Sequence, residues 1–203
     1  MRKILFVVEG AVEYAFFSKF LELCLKAKVC KKEESIIFKE RMRLPEGLIE
    51  GRVRFFKTEN SELALIPSYG NWKYFADAYK ILKDFFEKIL YVADSEHRRT
   101  LSQIPKESKV IIQDCFEDLF FEILENLQKR DEVEKAYLNI TKLLKIREEE
   151  DKFAKKRKFS LAHSLYGPKC WDHLFYEILK DQNFDPLKIE RLKEIAGELL
   201  RYL

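Results

Sequence analysis

Lys3-Ile4-Leu5-Phe6-Val7-Val8-Glu9-Gly10 is an uninterrupted apolar run that ends in a carboxylate and a glycine. A short run of β-branched and aromatic residues predicts a strand buried on both faces, as in a parallel sheet covered by helices. Glu9 then falls at the strand's carboxyl end, the edge of an open α/β sheet where ligands bind. Gly10 is expected to turn the chain into the helix that follows.

Lys88-Ile89-Leu90-Tyr91-Val92-Ala93-Asp94-Ser95-Glu96 repeats the form. If both strands are parallel neighbours, Glu9, Asp94 and Glu96 meet at one edge. Three carboxylates that close raise one another's pKa unless a cation joins them. Hard oxygen ligands favour Mg²⁺ or Mn²⁺.

The remaining pattern is alternating. Val12, Phe16, Phe17, Phe20, Leu21, Leu23 and Leu25 form the apolar stripe of a first helix. Ile36–Arg43 and Val53–Thr58 carry strand-like residues with Pro45-Glu46-Gly47 and Glu50-Gly51 between them, which predicts a hairpin-like insertion over about 31–62. Leu63–Pro67 reads as the second core strand. Ser68-Tyr69-Gly70-Asn71 turns into a helix from Trp72 to about Glu87, Ile89–Ala93 and Lys109–Gln113 are further strands, and a helix runs from about Asp114 to Lys129. This order predicts a parallel sheet with right-handed crossovers. Beyond Asp131 only helices are expected, over Val133–Ile146, Ser160–Tyr166, Trp171–Leu179 and Pro186–Leu203, with a dense charge run at Arg147–Lys158. The reading is an α/β core over 1–130 and a helical C-terminal cap over 131–203 packed on it, with Trp171 as an anchor.

Composition narrows the classes. Charged residues make up 36% of the chain, well above the usual quarter, which suits surface ion-pair networks and a thermophilic source. A net charge of +3 is too small for a generally basic, nucleic-acid-coating surface, so any such contact must be local. Cys24, Cys30, Cys115 and Cys170 form no Cys-x-x-Cys pair, which argues against structural zinc and a disulfide framework. The first apolar run is too short for a signal segment or a membrane span, so a cytoplasmic protein is expected.

A strand ending in Glu-Gly near the N-terminus and a later strand ending in Asp-x-Glu resemble the toprim domain of topoisomerases, bacterial-type primases and overcoming-lysogenization-defect nucleases. The similarity is nearest to small stand-alone toprim-like proteins of archaea and bacteria. Glu13-Tyr14-Ala15-Phe16-Phe17, Phe116-Glu117-Asp118-Leu119 and Trp171-Asp172-His173 add to it. The resemblance implies a Rossmann-like, mainly parallel sheet and Mg²⁺-dependent phosphoryl transfer on nucleic acid, most plausibly nuclease action on DNA or RNA. It implies that Glu9 is the general acid/base and that Asp94 and Glu96 hold Mg²⁺ or Mn²⁺, with Glu13 as outer ligand and Glu117 completing the metal site. Backbone N–H groups at Gly10, Gly70 and Asn71 could hold a phosphate. His97, Arg98 and Arg99, following the acids, could do the same. Lys155, Lys156, Arg157 and Lys158 form the sharp basic cluster, read either as a phosphate-backbone contact or as a solvated helix face. The alternative to an enzyme is a non-catalytic toprim-like module that binds a nucleic acid or nucleotide. Ala11 in place of a basic residue, Asn71 in place of a second glycine, and Glu96 in place of aspartate lean that way.

Overall fold

The computed structural model of the chain describes residues 1–49, 51–112, 115–146, 153–167 and 169–203. The strand β1 (Arg2–Val8) sits inside the sheet because both its faces are apolar. Ile4, Phe6 and Val8 enter one core and Leu5 and Val7 the other, all fully buried. Each such side chain contributes about 1.5–3 kcal/mol by leaving water.

After β1 come α1 (Ala11–Leu23), β2 (Lys28–Cys30), α2 (Ile36–Lys39), β3 (Arg54–Lys57), β4 (Ser61–Pro67), α3 (Trp72–Asp77), α4 (Tyr79–Phe85), β5 (Lys88–Asp94) and β6 (Lys109–Ile112). The C-terminal part adds α5 (Phe116–Asn126), α6 (Arg130–Leu144), α7 (Ala154–Tyr166), α8 (Trp171–Lys180) and α9 (Glu190–Leu200). Among the described residues the sheet order is β2-β3-β4-β1-β5-β6. The strands β4, β1, β5 and β6 are parallel, whereas β3 runs antiparallel to β4 and to β2. The architecture is therefore α/β, with a mixed sheet, a parallel centre and flanking helices.

The two sheet faces carry different helices. The core on one side takes in α1, α5, α8 and α9, and the other takes in α3, α4 and Ile37 of α2. Aromatic rings tie the C-terminal helices to α1: Phe16 meets Phe116 at 5.5 Å and Phe175 at 5.3 Å between ring centroids. Trp171 stacks on Phe159 at 4.9 Å, so it joins α8 to α7 as an anchor. No helix among the described residues is long and apolar enough to cross a membrane.

Several expectations change. Ile36–Arg43 is not a strand: Ile36–Lys39 is a helix and Arg41–Arg43 a 3₁₀ turn. The cause lies far along the chain. Glu62 of β4, fully buried, accepts the N–H groups of Ile36 and Ile37 at 3.0 and 2.8 Å and the Ser35 hydroxyl, while Ser35 accepts the Phe38 N–H. These are the donors that a helix start leaves unsatisfied, and their acceptors make this turn helical. The hairpin that does form joins β3 to β4, and β2 adds to its far side. The helix expected over Trp72–Glu87 is interrupted at Ala78. Gly10 has φ −135°, an extended conformation open to any residue, so it is not a special turn. Glu50, Gln113, Asp114, Pro168 and residues 147–152 of the charge run lie outside the described residues.

Candidate functional site

The strand order creates the site. From β1 the chain moves out to β2 at the far edge, returns through β3 to β4 beside β1, and then crosses to β5 on the other side of β1, so the connections diverge between β1 and β5. Such a switch point opens a crevice at the carboxyl ends of the strands. Val7 pairs with Tyr91, which brings Glu9 level with Ala93 and beside Asp94. The Asp94 N–H donates to Glu9 Oε2 at 3.2 Å.

The turn after β4 is bolted to the same point. The Tyr69 N–H and the Ser68 hydroxyl both donate to the Glu9 carbonyl, at 2.7 and 3.1 Å. Glu13, one helical turn into α1, reaches back so that Gly10 N–H donates to its Oε2 at 3.1 Å. A β-carbon at Gly10 would sit 3.1 Å from that carboxylate oxygen. The Gly10 N–H is thus engaged within the chain, and its glycine leaves room for Glu13.

Electrostatics mark the edge. Burial pushes the Asp94 carboxyl up from its ordinary 3.8 to about 8, and Glu9, Glu13, Glu117 and Glu96 add to the rise. Burial also lifts Glu13 from 4.5 to about 7, with Glu9 and Glu117 contributing. Asp94 Oδ1 is buried and has no hydrogen-bond partner. A buried carboxylate oxygen without a donor, among four other acids, is a costly arrangement for a chain alone.

His97 does not stand apart as a phosphate ligand. Its Nε2 lies 2.8 Å from Glu9 Oε1 and 3.3 Å from Glu96 Oε1, and its ring rests 5.8 Å from that of the buried Trp72. Glu9, Glu96 and His97 each offer a ligand atom within 4.8 Å of the others, a set that could hold a divalent ion. Carboxylates suit Mg²⁺ and Mn²⁺, and the imidazole extends the range toward softer metals.

The other sequence-identified residues are placed unevenly. Glu117, in the first turn of α5, joins the acids through its effect on Asp94 and Glu13. Gly70 and Asn71 are exposed at the turn, with the Gly70 N–H 3.3 Å from Ser68 Oγ. Arg98 and Arg99 are exposed after the acids. The basic cluster lies on the first turns of α7. There Lys155 pairs with Asp118 at 2.8 Å, and Lys158 pairs with Glu134 at 2.6 Å above the Tyr137 ring. Lys156 and Arg157 are exposed beside them. Ser68 and Trp72 were not anticipated as site residues, because their roles depend on β1 and β4 pairing in parallel.

No protein-family model matches the chain, and no curated protein matches it. The crystal structure of hypothetical protein PH0156 from Pyrococcus horikoshii OT3 is similar over 100% of this chain and 94% of that one. The TM-score is 0.57 at 12% sequence identity, a likeness of fold alone.

Proposed function

We propose that the protein is a toprim-like, divalent-metal-dependent phosphoryl-transfer enzyme acting on nucleic acid, with nuclease cleavage as its reaction. The observation that carries this reading is the buried, unpartnered Asp94 Oδ1 at the switch point, ringed by Glu9, Glu13, Glu96 and Glu117. The donor set fits Mg²⁺ or Mn²⁺: oxygen ligands dominate, and a cation there offsets the burial, and after it the repulsion, that raise the Asp94 and Glu13 carboxyls to about 8 and about 7. In this reading Asp94 and Glu96 would hold the ion, with Glu13 and Glu117 completing its surroundings and with Glu9 and His97, whose ligand atoms lie within 4.8 Å of that of Glu96, facing it. When bound, it supplies positive charge against a phosphoryl oxygen.

The chain's own residues supply the proton chemistry. Glu9 is held in place by the Asp94 N–H on one oxygen and His97 on the other. In this reading it moves a proton to or from a phosphodiester oxygen, and His97 fixes its orientation. General acid/base catalysis of this kind contributes roughly 10²–10⁴-fold in rate.

The non-catalytic binding module is the second reading. What favours it is the contact between His97 and Glu9, which occupies one of the oxygens a general base would use. Cleavage of labelled DNA and RNA oligonucleotides with Mg²⁺ or Mn²⁺ separates the two. The enzyme reading expects cleavage that Glu9→Gln lowers by about 10²-fold or more and Asp94→Asn abolishes. Cleavage indifferent to both substitutions would refute it, and binding with no cleavage under any metal would leave the module.

A further inference from the structure

The antiparallel course of β3 has a consequence at the acid edge. Because β3 runs against β4, with Arg54 opposite Leu65, its start and not its end lies at the carboxyl edge of the parallel strands. Arg52 and Arg54 are thereby delivered beside the turn that follows β4. Arg54 is spent on the fold: it bonds the Ser18 hydroxyl of α1 and approaches Asp172 of α8 at 3.9 Å. Arg52 is exposed, lies over the Tyr14 ring at 5.1 Å, and interacts favourably with the Tyr69 side chain.

Tyr69 is the unusual member. It is 59% exposed and has φ +50°, a backbone conformation that a bulky residue rarely adopts. Core packing does not account for an aromatic ring left in solvent. The turn that fixes it is the one bonded to the Glu9 carbonyl, so the ring is held at a fixed offset from the acids.

We infer that Tyr69 and Arg52 form a subsite for single-stranded nucleic acid, with an unpaired base stacked on the Tyr69 ring and the adjoining phosphate held by Arg52. This deepens, and rests on, the nucleic-acid reading of the acid edge. Every base presents a face that an exposed aromatic ring can stack on, and only an unpaired base is free to do so. Arg52, over the neighbouring Tyr14 ring, adds a planar cation beside Tyr69, which suits both phosphate and base. Duplex recognition by backbone contact would instead need many cations. The chain has a net charge of only +3, and Arg54 is already engaged beside Arg52.

The test measures anisotropy of fluorescent oligothymidylate and oligouridylate with the full chain and Mg²⁺, beside a duplex of equal length. Cleavage of the same oligonucleotides is followed in parallel. Tyr69→Ala is expected to weaken single-strand binding about tenfold while Tyr69→Phe retains most of it. Arg52→Ala should weaken binding and reduce the slope of log affinity against log salt by about 0.7. Unchanged affinity in Tyr69→Ala, duplex bound as tightly as single strand, or no binding at all would each overturn the subsite. Binding with these effects but without cleavage keeps the subsite and removes the enzyme reading. Cleavage with unaltered Tyr69→Ala affinity does the reverse.

Discussion

The two edges of the parallel sheet handle buried charge in opposite ways. At the amino edge, Glu62 is fully buried and accepts from Ser35, Ile36 and Ile37, with Lys57 at 3.7 Å. Lys88, also buried there, pairs with Glu198 and donates to the Glu107 carbonyl. At the carboxyl edge, Asp94 has an unpartnered oxygen and four acids around it. Burial of a carboxylate is therefore no mark of function in this fold. The informative quantity is whether donors of the chain itself balance it.

Removing the acid from each edge is the sharpest way to break this contrast. Glu62→Ala leaves two backbone N–H groups and a hydroxyl without their acceptor and Lys57 without its ion-pair partner, and is expected to cost about 3–5 kcal/mol. Asp94→Asn removes a carboxyl whose charged form is disfavoured by burial and by the neighbouring acids, and should leave the metal-free protein as stable as the parent or more so. Urea denaturation of both variants checks the pair. A Glu62→Ala change below about 1 kcal/mol would show that the amino edge does not depend on this carboxylate.

Proton linkage gives a smaller, signed effect. Asp94 and Glu13 have pKa values raised on folding, from 3.8 to about 8 and from 4.5 to about 7. Between those limits the folded chain binds more protons than the unfolded chain. Stability without metal therefore falls as pH rises through about 4 to 8. Thermal melts across that range should show the decline in the parent and a shallower one in Asp94→Asn, with Mn²⁺ restoring the parent at the alkaline end. A flat profile in both would remove the electrostatic argument.

The smallest effect belongs to the basic cluster of α7. Lys155 pairs with Asp118 while more than half exposed, so Lys155→Ala should change stability by about 1 kcal/mol or less, and less still in high salt. A larger loss would make that ion pair a structural element comparable to Glu62.

What the sequence disclosed follows the same physics. β1 and β5 were legible because strands buried on both faces read as continuous apolar runs, and their terminal acids stand out by contrast. Glu9 and Glu96 do meet, with His97 between them, and both act on Asp94 together with Glu13 and Glu117. The helix at Ile36–Lys39 was not legible, since its N-terminal acceptor is Glu62, whose link to Ile36 and Ile37 arises only in the folded chain. β2 is three residues long, below what an alternating pattern can announce. The pairing of His97 with Glu9, and the arrival of Arg52 beside Tyr69, both depend on strand order and direction. Neither is encoded in local spacing.

Calorimetric titration of Mg²⁺ and Mn²⁺ into the parent and into Asp94→Asn, above pH 8 where the raised carboxyls ionise, tests the central claim most directly. The account predicts binding by the parent that the substitution abolishes. Equal binding by both proteins, or no binding by either even with an oligonucleotide present, would contradict it.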